Sequence, residues 1–371
     1  MRIGIDARMY NEGLGIGRYV SQLIKNLELI DHENEYVIFL RKNNWELYTP
    51  HASNFTKVYA DIPWYSLQEQ IMFPFILCRR HLDLMHFPHF SVPVLYRTPF
   101  LVTIHDLIML NMPLSSRLAA TRHGSVWYQV KYSAYRFLLS WITTHARAIL
   151  TVSHASKSDI IRAFPSAARK IHVLVNGIAP RIAPIHPEKS VLQPYFLYVG
   201  NAYPHKNINN LLAAWKHLRT RNFPFYLTLC GQEDYFASQV RRAIIENGLQ
   251  GLAFHIGSMS EPGLAWLYEN AVALVAPSLS EGFGLPAVEA LSYSLPVIAS
   301  DIPIFHEVLG EYALYFNPHD PQAMAKSIED FISQRHIWVD TAKRAQEIIR
   351  KKYDWKKNAL RTLDIYKELN V

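Results

Sequence analysis

The stretch Ser280-Glu281-Gly282-Phe283-Gly284-Leu285-Pro286-Ala287-Val288-Glu289-Ala290 sets two carboxylates eight residues apart, around a glycine-hinged entry into a helix. Before it, Ala271 to Pro277 is an apolar run of strand length. Pro286 suits a first helical turn, where its missing N–H costs nothing. After it, Pro296-Val297-Ile298-Ala299-Ser300 reads as the next strand. The order is strand, loop, helix, strand, with Glu281 at the loop mouth and Glu289 roughly one turn inside the helix. Gly282 and Gly284 let bare backbone approach a ligand, and the helix N-terminus offers N–H groups and a positive dipole end to phosphate. Carboxylates accept hydrogen bonds from vicinal hydroxyls. A site with both tools suits a sugar phosphate.

The same alternation runs the length of the chain. Strand patterns fall at Arg2–Ala7, Tyr36–Leu40, Lys57–Ala60, Leu84–Phe87, Phe100–His105, Ala148–Val152 and Ile171–Val175. Helical patterns among them include Gly17–Leu29, Leu67–Arg80 and Ser115–Thr144. A second series sets strands at Phe196–Gly200, Tyr226–Cys230, Ala253–Ile256, Val272–Ala276, Val297–Ala299 and Ala313–Phe316. Helices near 207–219, 236–247, 261–270, 284–293 and 321–333 separate these. Short apolar strands alternating with helices predict parallel sheets covered on both faces. Two series predict an α/β chain of two doubly wound, Rossmann-like domains, 1–180 and 181–354, divided in the proline-punctuated stretch Asn176–Pro194. Open parallel sheets take ligands at the carboxyl ends of their strands, so two facing domains would share an interdomain cleft. In the last segment, 355–371, a helical pattern over Trp355–Leu369 is long enough to cross back onto the first domain.

A chain of 371 residues is too long for one ordinary core, and at 50% apolar it holds no large disordered share. Cys78 and Cys230 are far apart in apolar settings, which leaves neither a disulfide framework nor a cysteine-ligated zinc site credible and fits a reducing compartment. Asp6 arrives too early for a signal peptide, and no run of about 18 apolar residues spans a membrane, so a cytoplasmic location is expected. The net charge of +7 sits wholly in residues 1–180, which hold 19 Lys and Arg against 12 Asp and Glu; residues 181–371 hold 19 of each. From Leu107 to Ser158 there is no acid, while Arg117, Arg122, Lys131, Arg136, Arg147 and Lys157 are interleaved with Trp127, Tyr128, Tyr132, Tyr135, Phe137 and Trp141. Such a segment is either a peripheral contact with anionic membrane or a long helix with an aromatic core face and solvated cations. No nucleic-acid module accompanies the charge, and no nucleic-acid partner is expected.

Three further places would feed the cleft. Gly13-Leu14-Gly15-Ile16-Gly17-Arg18-Tyr19 follows the first strand and opens the first helix. It is a phosphate-binding turn or a simple one, and its third glycine comes one residue too early for the dinucleotide fingerprint. Thr103-Ile104-His105-Asp106 ends an apolar strand and sets His105 at the mouth of the sheet. With His105, His86 and His89 could form a three-histidine metal site, although Pro88 breaks the usual paired geometry and packing or substrate contact explains them. Gly200-Asn201-Ala202-Tyr203-Pro204-His205-Lys206-Asn207 sets the Lys206 ammonium near a helix N-terminus, suited to a diphosphate.

By these motifs the chain resembles the family-4 retaining glycosyltransferases, which have the two-domain GT-B fold. The resemblance runs through Gly15–Tyr19, Thr103–Leu107, Val152-Ser153, Val175-Asn176-Gly177-Ile178, Tyr198–Asn207, Ser280–Ala290, and Ser300-Asp301-Ile302-Pro303 with Glu307. It implies transfer of a hexose from a nucleotide-diphosphate sugar to a saccharide or lipid-linked acceptor, with retention of configuration. Carried over by position, Glu289 binds the ribose hydroxyls and Glu281 faces the donor sugar. Phe283, Gly284 and Leu285 supply backbone N–H groups, and Lys206 neutralises the leaving diphosphate. His105 contacts the sugar near the reacting carbon, Gly15 and Gly17 close over the phosphate, and Asp106 and Arg18 fall on the acceptor side.

Many family members carry an arginine where this chain has Asn201, so Lys206 would bear more of the phosphate charge, aided by Arg18 or His205. The Gly-Asn…Pro-His-Lys-Asn version resembles a bacterial subgroup that uses mannose or related donors on surface polysaccharide, which favours GDP-mannose. No Asp-x-Asp motif occurs, and neither a metal nor a cofactor is expected. The two glutamates are not a glycosidase pair, whose carboxyls flank one glycosidic bond. The family's mechanism is front-face displacement, in which catalysis is positioning and charge stabilisation at the leaving group. A sugar phosphorylase, a nucleotide-sugar epimerase and a non-catalytic GT-B subunit stand as alternatives.

Overall fold

The computed structural model describes residues 1–371 apart from 12, 14, 113–123, 188, 190, 370 and 371, with the side chains of 124–128 also outside the description. The chain divides into two compact units. One comprises Met1–Leu107, His123–Gly177 and Asp354–Val371; the other comprises Ile108–Arg122 and Ile178–Tyr353.

The first unit is built on β1 (Arg2–Asp6), β2 (Glu35–Leu40), β3 (Phe55–Tyr59), β4 (Leu84–Phe87), β5 (Phe100–Thr103), β6 (Ala148–Thr151) and β7 (Ile171–Val173). Their order is β3-β2-β1-β4-β5-β6-β7, with every pairing parallel. Helices α1 (Ile16–Ile30), α2 (Leu67–Cys78), α3 (Gly124–His145) and α4 (His154–Ala163) connect the strands. Ile3 and Ile5 of β1 are fully buried, as a central strand covered on both faces requires. Strand order reverses between β1 and β4, which makes their carboxyl ends the switch point of this sheet.

The second unit carries β8 (Tyr195–Val199), β9 (Tyr226–Cys230), β10 (Ala253–Gly257), β11 (Leu274–Ala276), β12 (Val297–Ser300) and β13 (Ala313–Phe316). They lie in the order β10-β9-β8-β11-β12-β13, again all parallel. Around this sheet stand α5 (Ile208–Arg219), α6 (Tyr235–Glu246), α7 (Glu261–Asn270), α8 (Leu285–Ser292), α9 (Pro303–Leu309), α10 (Pro321–Ser333) and α11 (Arg335–Lys352). Its switch point falls between β8 and β11.

A last helix, α12 (Trp355–Glu368), joins the first unit. Trp355, Ala359, Leu363, Ile365 and Tyr366 enter the same apolar cluster as Ile3 and Ile5 of β1 and Leu23 and Leu27 of α1. Asn358 Nδ2 donates to the Val175 carbonyl at 2.9 Å. This stretch of the first unit ends at Gly177, which lies so close to the Trp355 backbone that a Cβ there would collide with it.

The strands are shorter than the apolar runs that mark them: Phe100–His105 is strand only to Thr103, which leaves His105 and Asp106 in the loop. The pattern over Leu67–Arg80 is helical to Cys78. That over Ser115–Thr144 is helical from Gly124 to His145, with 115–123 outside the described residues. Among the described residues, no helix is long and apolar enough to cross a membrane.

Candidate active site

At the switch point of the second unit, two loops are tied together before any ligand is considered. The chain leaves β8 through a tight turn at Pro204–Lys206, which ends at Asn207 with φ of 60°. Asn207 Nδ2 donates to the carbonyls of Pro277, at 3.0 Å, and Pro318, at 2.8 Å. The Leu279 amide donates to the His205 carbonyl at 2.8 Å. Across these loops Lys206 Nζ lies 2.7 Å from Glu281 Oε1, with the two side chains 17% and 13% exposed. Ser278 Oγ donates to the same carboxylate oxygen at 2.7 Å.

Burial works to raise the Glu281 carboxyl. The Lys206 charge and hydrogen bond, the Ser278 hydrogen bond and His205 outweigh it, so Glu281 sits below the ordinary glutamate pKa. Burial, with the Lys206 ammonium beside it, pushes His205 down to about 4 against a weaker pull from Glu281, so His205 is neutral at pH 7. Burial and then the Glu281 charge hold the Tyr198 hydroxyl well above its usual value, and that hydroxyl donates to the Asn201 carbonyl at 2.6 Å. The site is thus a neutralised pair rather than a lone cation.

The helix that follows is entered at Gly284, whose φ of 82° is left-handed and whose missing Cβ would stand 2.6 Å from the Phe305 ring. Leu285 and Pro286 form the first turn of α8. Glu289, on the same helix, is 5% exposed and accepts a hydrogen bond from the Tyr268 hydroxyl at 3.1 Å. Phe283 turns its ring edge-on to Tyr353 at 5.2 Å and belongs to the core. Asn201 Oδ1 is buried without a hydrogen-bond partner among the described residues. A buried acceptor in that state needs a donor, and a ligand is one source.

The first unit holds the remaining candidates: Gly15, Gly17, Arg18, His105 and Asp106. Gly15 caps α1 with φ of 76°, and a Cβ on Gly17 would lie 2.7 Å from the Met9 carbonyl, so the turn closes tightly on the loop after β1. Arg18 is buried within α1. His105 Nε2 donates to the Pro88 carbonyl at 2.9 Å, which fixes the proton on that nitrogen, and burial pushes its pKa down to about 4. The Tyr19 ring meets it edge-on at 4.8 Å. Asp106 is half-buried, and its charge contributes, after burial, to holding the Tyr135 hydroxyl above its usual range.

The three-histidine alternative fails at His86. Its ring is fully buried, with Nδ1 bonded to the Tyr366 hydroxyl at 2.6 Å and Nε2 to Thr103 Oγ1 at 2.9 Å. Both ring nitrogens are committed to the core. His89 pairs instead with the Tyr65 hydroxyl at 2.7 Å.

Sequence reasoning missed the ion cluster beneath the first unit's switch point. Arg8 Nη2 lies 2.7 Å from Asp6 Oδ2 and 2.5 Å from Glu69 Oε1, with Arg8 and Glu69 each 1% exposed. Its guanidinium stacks 3.9 Å over the Phe73 ring, while Ser91 Oγ donates to Glu69 at 2.6 Å. The signal was an Asp and an Arg two residues apart at the end of the first strand. Tyr268 and Ser278 were also missed, for want of any local signature.

Two family descriptions match the chain: Glycosyltransferase Family 4 over residues 14–181 and Glycosyl transferases group 1 over residues 185–354. The O-antigen chain mannosyltransferase RfbU of Salmonella typhimurium is 33% identical over 243 residues, 65% of this chain and 63% of RfbU. The O-antigen chain mannosyltransferase B of Escherichia coli is 30% identical over 234 residues, 60% of this chain and 61% of that one. The chain therefore spans about three fifths of the length of these curated relatives. Among solved structures, a sucrose-phosphate synthase from Thermosynechococcus elongatus matches with a TM-score of 0.77 at 21% identity, over 99% of this chain and 98% of that one. WaaG, a glycosyltransferase involved in lipopolysaccharide biosynthesis, matches with a TM-score of 0.73 at 13% identity, over 98% and 99%. These identities speak for the fold, two parallel-sheet Rossmann-like domains of the GT-B type. With family 4 matching its first half and group 1 its second, the chain belongs to the family-4 glycosyltransferases of GT-B fold.

Proposed function

We propose that the chain is a retaining, metal-independent mannosyltransferase of surface-polysaccharide synthesis. It takes mannose from GDP-mannose and passes it to a saccharide or lipid-linked acceptor at the cytoplasmic face of a membrane. The observation that carries this reading is the Lys206–Glu281 pair at 2.7 Å, beside the glycine entry to α8. The likeness to O-antigen mannosyltransferases supports mannose as the sugar.

In this reading the donor diphosphate replaces Glu281 as the partner of Lys206, and the released Glu281 carboxylate accepts a hydrogen bond from a sugar hydroxyl. Backbone N–H groups at Phe283, Gly284 and Leu285 meet the phosphates. Glu289 and Tyr268 hold the ribose, and Asn201 Oδ1 gains the donor it lacks. The acceptor oxygen bonds to the anomeric carbon on the face from which the phosphate oxygen departs, and its proton passes to that oxygen. Lys206 and the α8 N-terminus stabilise the charge that develops there.

The test is GDP release measured with and without a water-soluble mannoside acceptor, in buffer containing EDTA, with the product's anomeric configuration read by NMR. Acceptor-dependent release giving an α-linked product is expected. Lys206→Ala should lower the rate about 10²–10³-fold, the cost of one charge-stabilising donor. Turnover by that variant near the unaltered level, or a β-linked product, refutes the assignment.

A further inference from the structure

The switch point of the second sheet holds Lys206 and Glu281; that of the first holds the Asp6–Arg8–Glu69 cluster, with Tyr65 and His89 beside it. Tyr65 takes a φ of 59°, in the left-handed region that a bulky side chain adopts only at a cost. Such strain persists where the surroundings over-determine it, and it gathers at ligand sites. Here Glu69 does the holding. Its Oε2 accepts the Tyr65 amide at 2.9 Å, while Oε1 accepts from Arg8 and, at 2.6 Å, from Ser91 Oγ. One buried carboxylate thus fixes both the loop after β3, which carries Tyr65, and the loop after β4, which carries His89 and Ser91.

The ring held in this way stays outside the core. Tyr65 is 55% exposed, and its hydroxyl meets His89 Nδ1 at 2.7 Å. Buried Phe90 backs both rings, 5.5 Å from Tyr65 and 3.8 Å from His89, and is itself braced by Tyr135 at 4.9 Å. Half-buried Trp64 and His89 rim a recess of about 10 Å³ over Asp6 and Arg8, room for no more than one water, so a ligand lies on these rings rather than between them. After burial, the charges of Glu69, Asp106 and Asp6, against that of Arg8, hold the Tyr65 hydroxyl above its usual range. Arg8 is already engaged by two of these carboxylates. Burial and then His105 push His89 well below the ordinary histidine value, so it is neutral at pH 7. A phosphate brought here meets three carboxylates and an occupied guanidinium. A pyranose suits the place better: its C–H face covers an aromatic ring, and its hydroxyls reach the imidazole.

We propose that Tyr65 and His89 form the subsite for an uncharged pyranose of the acceptor and set which acceptors the chain takes. The Tyr65 ring covers the sugar face, and the His89 imidazole bonds a sugar hydroxyl. The strain at residue 65 is kept for this ligand, since glycine would relieve it and lose the ring. A subsite that admits a sugar and repels a phosphate belongs to a chain-extending enzyme. A reaction that joins the first sugar to any lipid phosphate must therefore come before this one. The inference rests on the reading of the chain as a transferase of surface-polysaccharide synthesis.

The experiment compares the full chain with Tyr65→Gly and His89→Gln, using octyl α-mannoside and octyl phosphate as acceptors. Melting temperature, saturation-transfer NMR of each acceptor without donor, and transfer from GDP-mannose are measured on all three proteins. Tyr65→Gly should melt within about 2 °C of the unaltered chain, because relief of the left-handed strain offsets the lost contact. It should raise the KM for octyl mannoside about tenfold to a hundredfold and leave the KM for GDP-mannose unchanged. His89→Gln should raise the mannoside KM about three- to tenfold, the share of one hydrogen bond. Octyl phosphate should receive no mannose from any of the three. A mannoside signal or KM that Tyr65→Gly leaves intact overturns the subsite, and so does mannosylated octyl phosphate. Melting of Tyr65→Gly more than about 5 °C lower also overturns it, by making the ring part of the core. If the unaltered chain transfers nothing from GDP-mannose yet binds the mannoside through Tyr65, the subsite stands and the transferase reading falls.

Discussion

Replacing Lys206 with alanine strands Glu281 in a pocket where its side chain is 13% exposed and Ser278 is its hydrogen-bond partner. Breaking a buried pair from one side costs about 3–5 kcal/mol, and the water that still reaches this pair puts it at the low end, about 3 kcal/mol. At about 2–4 °C per kcal/mol for a unit of this size, the second unit should melt about 6–12 °C lower at pH 7. The sign with pH follows from Glu281. In the intact pair its folded pKa is depressed, so its stabilisation is present above the unfolded value, about 4.3, and is lost as pH falls through the folded pKa. In the variant the Lys206 contribution is gone while burial, the largest influence, stays; the carboxyl then titrates above its unfolded value, and protonation stabilises the folded variant as pH falls. The gap between the two proteins should therefore narrow from pH 7 to pH 4.5. Scanning calorimetry at pH 7, 5.5 and 4.5 measures it, with Glu281→Gln as the companion that has no carboxyl to titrate. A gap of the same size at all three pH values would falsify the buried-pair account.

Two further outcomes follow from the geometry. Arg8→Met leaves Asp6 and Glu69 as uncompensated buried carboxylates and should destabilise the first unit by about 3–5 kcal/mol; a urea midpoint within error of the unaltered chain contradicts this. Gly284→Ala forces a Cβ into the left-handed region and against Phe305, which should cost about 1–3 kcal/mol and weaken donor binding; calorimetry with and without GDP-mannose reads both, and an unchanged pair of values tells against it.

The parallel-sheet architecture was legible because each strand is a short apolar run between polar turns, and buried strands leave no other pattern. Helix α11 was not, since Arg335–Lys352 buries only small or isolated side chains, Thr341, Ala342, Ala345 and Ile349, and charge surrounds the rest. In the site, Glu281, Glu289 and Lys206 could be picked out by their glycine and proline neighbours. That Lys206 and Glu281 hold each other could not, because two loops far apart in sequence meet only after β8 and β11 lie side by side. On α2 the exposure of Leu67, Ile71 and Phe75 was hidden for the opposite reason: Leu67–Cys78 is apolar on both faces, which reads as a buried helix. That His86 belongs to packing could be read from the sequence, but not its partner, the Tyr366 hydroxyl 280 positions later.

That long-range closure has a bearing on biogenesis. Ribosomes deliver Trp355, Ala359, Ile365 and Tyr366 more than 300 positions after Ile3 and Leu23, yet all of these side chains share one core. Until Ile178 to Tyr353 has been synthesised, and is free to fold as a body of its own, that side of the amino-terminal sheet has α1 but not α12 against it. A nascent chain halted just short of Asp354 thus holds all of Ile178–Tyr353 while the core of the first unit still lacks α12.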